Sequence, residues 1–193
     1  MTNTAPSYPI AGLASPANML TVSRILASPV LFVLILEAEP SHGTTWAGFW
    51  LGWVFAASDF LDGPLARRQG TVGRTGAFLD PLADKVVVLG AAFSLVAVDR
   101  LHWFPVALVA ARELTVSVMR IYYAQRGLAI PARRGAKWKT FIQGLVIAAA
   151  IAPPLEDAQG LIDALWWVAV AFTLVTGWQY LRDRELATST TGA

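Results

Sequence analysis

The stretch MLTVSRILASPVLFVLIL, residues 19–36, decides the kind of fold, because Arg24 is its only charged side chain. Its length is close to the ~20 residues a helix needs to cross the hydrocarbon core of a bilayer. It is too long for a strand and shows no strict two-residue alternation. Comparable runs follow at Trp46–Ala66, Ala77–Val98, Trp103–Ala124, Trp138–Leu155 and Leu161–Leu181. Breakers separate them: Pro40-Ser41-His42-Gly43, Gly70 to Gly76, Pro131, and Pro153-Pro154. Backbone amides in lipid must find partners within their own segment, so six transmembrane helices are expected, an all-α polytopic membrane protein.

The totals agree. Of 193 residues, 55% are hydrophobic and only 15% are charged, against about 25% charged in soluble domains. That excludes a soluble enzyme, a disordered regulator and a nucleic-acid-binding domain, and leaves one membrane domain over residues 1–193. The chain has no cysteine, so disulfides, thiolate metal sites and cysteine nucleophiles are excluded. Residues 1–17 carry no Lys or Arg. Without the positive flank of a signal peptide, the first apolar run is expected to be retained as a span. The Thr/Ser/Gly tail, residues 187–193, is expected to be disordered.

Net charge is only +2, so its placement carries the information. Arg67, Arg68 and Arg74 lie between the second and third runs. Arg126, Arg133, Arg134, Lys137 and Lys139 lie between the fourth and fifth, and Arg182 and Arg184 follow the sixth. The opposite loops hold only Arg100, amid Glu37, Glu39, Asp99, Glu156, Asp157 and Asp163. Basic loops stay inside, so both termini are expected to be cytoplasmic, in a cell membrane that would be a bacterial inner membrane. Most tryptophans sit near the ends of the runs, where they anchor a helix at the interface.

The chemistry is concentrated in Ser58-Asp59-Phe60-Leu61-Asp62-Gly63-Pro64-Leu65-Ala66-Arg67 and Gly76-Ala77-Phe78-Leu79-Asp80-Pro81-Leu82-Ala83-Asp84-Lys85. Asp59 and Asp62 are three apart, Asp80 and Asp84 four apart, so on helices each pair shares a face. The short connection would make these two helices antiparallel neighbours whose acidic faces meet. A carboxylate at the bilayer centre costs on the order of 2.5–3.5 kcal/mol, less toward the interface. Four together also repel one another. Arg67, Arg68, Arg74 and Lys85 offset part of this. Two Mg²⁺ or Mn²⁺ ions would neutralise four carboxylates charge for charge, and all-oxygen ligands suit such hard cations. Gly63 lies four after Asp59, and Ala66 four after Asp62, leaving a face without bulk on which a phosphate or nucleotide can approach the backbone. Pro64 and Pro81 each remove a backbone donor beside the acids.

The pattern Asp59-x2-Asp62-Gly63-x2-Ala66-Arg67-x8-Gly76-x3-Asp80-x3-Asp84 resembles the signature of the CDP-alcohol phosphotransferases at every fixed position. The resemblance implies transfer of a substituted phosphoryl group from a CDP-linked donor to an alcohol, with release of CMP. It implies that Asp59, Asp62, Asp80 and Asp84 hold divalent ions and that Asp84 also acts as the base. Gly63, Ala66, Arg67 and Gly76, with Asp59 and Asp62, would hold the nucleotide. A homodimer is implied by the resemblance alone.

Three further groups bear on the acceptor. Asn18, Thr21 and Arg24 recur at helical spacing at the start of the first run, readable as an N-cap with a snorkelling arginine or as contacts to the nucleotide and its phosphates. Arg112 lies deep in the fourth run, with Arg120 two turns on; it either binds an anion or bridges to an acid on another helix. Glu113, its neighbour in sequence, is expected to point elsewhere. The segment Arg133-Arg134-Gly135-Ala136-Lys137-Trp138-Lys139-Thr140 is either a basic loop for anionic lipid heads or a phosphate pocket built from Lys137, Lys139 and Thr140. Arg112-Glu113, Ser117-x2-Arg120 and Lys137-x-Lys139-Thr140-x2-Gln143 are together similar to the phosphatidylglycerophosphate synthase branch of the family. That similarity implies CDP-diacylglycerol as donor and sn-glycerol 3-phosphate as acceptor, with the active site facing the cytoplasm. Ala136 stands where that branch commonly has glycine, which keeps inositol phosphate and phosphatidylglycerol open as acceptors. The rival class is a divalent-cation transporter, whose acids would extend across the membrane; here they cluster at one leaflet.

Overall fold

The structure is a computed structural model. It describes the backbone of residues 16–68, 74–125 and 135–189, and the side chains of residues 19–58, 82–119, 121–123, 139–180 and 182. The described chain forms six long helices: α1 Pro16–Glu37, α2 Trp46–Arg68, α3 Arg74–Ala97, α4 Trp103–Gln125, α5 Gly135–Ile151 and α6 Gln159–Ser189. Short 3₁₀ turns occupy Glu39–Ser41 and Pro153–Leu155. No strand occurs among the described residues.

Each expected run has become a helix, and the differences lie at the ends. Helix α1 begins at Pro16, where the fixed φ of proline suits the first helical position. Helix α6 continues to Ser189, so residues 187–189 of the expected disordered tail are helical. Helix α5 stops at Ile151 rather than Leu155, and two prolines are the cause. Pro153 and Pro154 have no N–H for the carbonyls of Ala149 and Ala150. Ala149 O instead accepts from Ala152 N at 3.2 Å, and Ile151 O accepts from Thr45 N at 3.0 Å. Ala150 O accepts from the side chain of Arg100, whose Nε donates at 3.2 Å. A third proline, Pro29, sits inside α1 and orphans the carbonyl of Ile25; Ser28 Oγ donates to it at 2.8 Å.

Arg100 explains why one cation interrupts the acidic side of the chain. It is fully buried, in the turn between α3 and α4. Besides Ala150 O, its guanidinium donates to Glu156 O at 2.6 Å, to Gln159 Oε1 at 3.1 Å and, through Nη2, to Leu155 O. Gln159 Nε2 returns a bond to Arg100 O at 3.0 Å. A planar fork of five donors is the one side chain able to satisfy so many helix-end carbonyls together. Burial pushes its pKa down from the ordinary arginine value, while Glu156, Asp163 and Asp157 act in the opposite direction.

Helix α1 packs most extensively against α3 and next against α2, while α6 lies against α5 and α4. The direct α2–α3 pairing expected from their short connection is not among the principal packings of the described residues, where α1 contacts each of them more closely. Helices α1 and α3 run parallel: Arg24 meets Asp84, and two turns further along α1, Phe32 lies against Gly90. A Cβ on Gly90 would stand 2.2 Å from Phe32 Cζ, so only glycine admits this approach, as small residues do where membrane helices touch. The core draws on all six helices, with Leu31 and Ile35, Phe55, Leu95, Val106 and Val109, Val146 and Ile151, and Ile162 and Trp166. Large apolar side chains also cover the outside, among them Leu26, Val30, Trp50, Val54, Phe93, Val118, Leu145, Val168 and Val175. A bundle apolar both within and without is suited to lipid. Two segments, Met19–Glu37 and Gln159–Tyr180, are long and apolar enough to cross a membrane.

Arg100→Ala takes the donor from the carbonyls of Ala150 and Glu156, while Leu155 O keeps its bond from Ala158 N, at about 1–3 kcal/mol for each buried unsatisfied group. A fall in the thermal midpoint of the detergent-purified protein is the expected result, larger than that for Arg100→Lys, whose single ammonium reaches only part of the carbonyl set.

Candidate active site

The acidic motif falls on the last turns of α2 and the first turns of α3. Both helices run unbroken past Pro64 and Pro81, so the three- and four-residue spacings of the acids are helical spacings, as expected. The side chains of Asp59, Asp62, Gly63, Ala66, Arg67, Gly76 and Asp80 lie outside the described ones, and so does the meeting of the four carboxylates. Asp84 is described. Its side chain is about one-third exposed, at 33%, and one carboxylate oxygen lies 3.7 Å from Arg24 Nη1.

Arg24 is where the two readings of the first helix separate. A snorkelling arginine would reach toward water; Arg24 is 4% exposed and faces α3. Thr21 is completely buried one turn earlier, and Ser28 one turn later. The i, i+3, i+7 positions of α1 thus present a polar stripe to the interior, beginning beside Asp84. Asn18 belongs to α1, with its side chain outside those described.

A second polar group lies among α4, α5 and α6. Arg112 Nη1 donates to Glu113 Oε1 at 2.9 Å, and Lys139 Nζ on α5 donates to the same oxygen. The expectation that Glu113 points away from Arg112 is therefore corrected. Adjacent residues diverge by 100° around a helix, but the arginine stem is long enough to bend back to its neighbour, and the anion it meets is held by α5. Arg112 Nη2 donates to Thr176 Oγ1 on α6 at 3.3 Å, while its buried Nε has no hydrogen-bond partner. Its stem lies over Gly177, where a Cβ would stand 2.9 Å from Nε. One turn beyond Lys139, Gln143 Nε2 donates to Thr173 Oγ1 at 2.8 Å, and Thr173 Oγ1 donates to Ala169 O at 2.7 Å. The ammonium of Lys85, adjacent to Asp84 on α3, is among the charges acting on Lys139.

Of the cations expected to bind phosphate, Arg24, Arg112 and Lys139 are buried or nearly so inside the bundle. Thr140 is half-buried on α5. Lys137 and Arg120 lie on α5 and α4 with their side chains outside the described set, and Arg133 and Arg134 lie outside the described residues. Glu113, Ser28, Thr173 and Thr176 are among the interior polar groups to which the sequence reading gave no role. The signal for the threonines was present, since they recur at i, i+3 on the apolar face of α6.

Among the described residues no three acids or histidines gather into a metal-binding group, since three of the motif carboxylates fall outside them. The donor chemistry fits a hard divalent cation. Asp84 keeps a partly accessible carboxylate with one oxygen 3.7 Å from Arg24 Nη1, and the three acids that accompany it in the motif are oxygen donors as well.

The helices thus carry paired acids at helical spacing on α2 and α3 and buried cations on α1, α4 and α5. The family model for CDP-alcohol phosphatidyltransferase matches residues 14–175, from the threshold of α1 through most of α6. The chain belongs to that family and is an enzyme of that type. It is 34% identical over 177 residues to a probable phosphatidylglycerophosphate synthase of Mycobacterium tuberculosis, covering 89% of this chain and 82% of the relative. It is 32% identical over 176 residues to the CDP-diacylglycerol–glycerol-3-phosphate 3-phosphatidyltransferase of Bacillus subtilis, covering 84% and 91%. The protein of that name from Rickettsia typhi is 31% identical over 171 residues, covering 86% and 94%.

Gly177→Ala inserts a methyl group against the Arg112 side chain, and overpacking of this kind costs about 1–3 kcal/mol. A lowered thermal midpoint is expected. Gly144→Ala on α5, where nothing lies within 4 Å of the new Cβ, should leave the midpoint unchanged or raise it. Equal effects of the two substitutions would show that α6 does not approach Arg112 so closely.

Proposed function

We propose that this enzyme transfers the phosphatidyl group of CDP-diacylglycerol to sn-glycerol 3-phosphate, releasing CMP and forming phosphatidylglycerophosphate for phospholipid synthesis. The observation that carries the reading is the placement of Arg112 and Lys139, two cations held inside an apolar bundle and meeting at one carboxylate oxygen of Glu113. A neutral alcohol acceptor gives no use for such a pair. An acceptor carrying its own phosphate does, and the names of the relatives from Bacillus and Rickettsia specify glycerol 3-phosphate.

The chemistry assigned to the residues follows from charge. The acceptor hydroxyl is a weak nucleophile, and the donor pyrophosphate repels it. Asp84 takes the proton of the hydroxyl as its oxygen bonds to the phosphorus that carries diacylglycerol. The anhydride bond to the CMP phosphate breaks in the same displacement, so no covalent enzyme intermediate is needed. Arg24 holds the Asp84 carboxylate toward the interior before substrate arrives. Asp59, Asp62, Asp80 and Asp84 are the residues that would hold divalent ions, Mg²⁺ or Mn²⁺, two of them by charge balance. When bound, such ions supply neutralisation of the pyrophosphate and stabilise the departing phosphate. Gly63, Ala66, Arg67 and Gly76, with Asn18 and Thr21, form the cytidine diphosphate site. Arg112, Lys137, Lys139 and Thr140, with Arg120 and Arg24, receive the acceptor phosphate.

In this reading all six helices cross a cell membrane as a single domain with both termini in the cytoplasm. The motif ends of α2 and α3 then meet water and the water-soluble acceptor, while the donor enters from the lipid. The basic residues around the α2–α3 and α4–α5 connections support that orientation. Two copies associate, as the family resemblance implies.

Purified protein given CDP-diacylglycerol and Mg²⁺ or Mn²⁺ is expected to release CMP only when glycerol 3-phosphate is added. Release with inositol phosphate or phosphatidylglycerol instead would assign a different acceptor. Asp84→Asn is expected to lower kcat by at least about a hundredfold, the lower end of the general-base contribution, while donor binding persists in an equilibrium assay. Turnover near that of the unsubstituted enzyme would remove Asp84 from the role of base.

A further inference from the structure

Glu113 is an anion in a pocket that the proposed function assigns to an anionic acceptor, so its presence there requires an explanation. It is buried, at 8% exposure. One of its oxygens, Oε1, accepts from both Arg112 Nη1 and Lys139 Nζ. A balanced buried pair would need one cation; here a single carboxylate oxygen serves two cations from two helices. The cluster therefore keeps a net positive charge while its donors are drawn to a common point.

That sharing matters differently for the two cations. Arg112 is also held by Thr176 and by its close fit over Gly177. Lys139 sits on a flexible four-carbon stem, and Arg112 and Lys85 both repel its ammonium. Glu113 is the anion acting on Lys139 against that repulsion. With it, guanidinium and ammonium stand close enough to meet oxygens of one phosphate. Without it, the ammonium is driven from the guanidinium, and a phosphate must draw the two together as it binds.

We propose that Glu113 is a positioning residue of the acceptor subsite, holding Arg112 and Lys139 as a preassembled pair for a dianionic phosphate monoester. The inference rests on the acceptor reading given above. It also bears on specificity, because two converging donors with net positive charge favour a phosphate monoester over a phosphodiester, which carries less charge and fewer free oxygens.

The test is steady-state kinetics on the purified full-length enzyme, varying glycerol 3-phosphate and CDP-diacylglycerol in turn. Glu113→Gln is expected to raise the glycerol 3-phosphate KM at least tenfold and to leave the CDP-diacylglycerol KM within twofold. Glu113→Asp, which keeps the charge but retracts it by one methylene, should fall between. A simple electrostatic brake predicts the opposite sign, since removing the anion would tighten acceptor binding; an unchanged or lowered acceptor KM in Glu113→Gln overturns the proposal. A general loss of packing would lower kcat without the split between the two KM values, and that result also overturns it. If Glu113→Gln does not fold, Glu113→Asp decides, with a threefold rise in acceptor KM supporting the proposal and no rise overturning it. Arg112→Ala and Lys139→Ala separate the two levels of inference. If they raise the acceptor KM and Glu113→Gln does not, the positioning role alone fails. If they shift the donor KM instead, the acceptor reading fails and the proposal with it.

Discussion

Charge buried in an apolar bundle must be partnered, and that constraint organises this structure. An uncompensated buried ion costs several kcal/mol even after relaxation, so each interior charge is tied to a different helix. Arg24 of α1 faces Asp84 of α3. Glu113 of α4 joins Lys139 of α5. Arg100, between α3 and α4, donates to the end of α5 and the turn beyond it. These contacts stabilise the bundle less through their own strength than through the penalty for breaking them, because separating any pair strands a charge in an apolar interior. The helices are thereby restricted to registers that keep every charge partnered.

Packing sets the same registers independently. The approach of Phe32 to Gly90 fixes α1 against α3 at one height, and the parallel course of the two helices then brings Arg24 level with Asp84. Gly177 does the equivalent for α6 beneath Arg112. At both places a glycine without a side chain decides where a long cation lies. Shape and charge agree at these positions, as expected when one arrangement is strongly preferred over its alternatives.

The helices were legible in the sequence because long apolar runs bounded by Gly and Pro have few other solutions in lipid. The spacing of Asp59, Asp62, Asp80 and Asp84 was legible for a related reason: once α2 and α3 are helices, three and four residues apart means one face. Arg24 left two readings open that only its depth could separate, and depth depends on which face of α1 meets α3. The partner of Arg112 was misread because helical geometry alone separates neighbours; Lys139, distant in sequence, holds Glu113 where the arginine can bend to it. The carbonyl accounting at Pro153 and Pro154 was equally hidden. Two prolines announce orphaned acceptors, but nothing local says that Arg100 will answer them.

The two ends of the bundle divide the work. At one end, Arg100, Gln159, Gly43 and the backbone bond from Thr45 to Ile151 close the turns tightly around one another. A Cβ on Gly43 would stand 2.9 Å from Val98 Cγ2, and its φ of +80° is one that glycine adopts without strain. Toward the other end the interior carries Arg24 beside Asp84 and the α4–α6 group, in which Arg112 and Lys139 share one oxygen of Glu113. Two cations on a single carboxylate leave that group short of neutrality. The stability it forgoes has to come from elsewhere in the fold, and the fully bonded Arg100 turn, far along the helices from the motif, is where this chain supplies it.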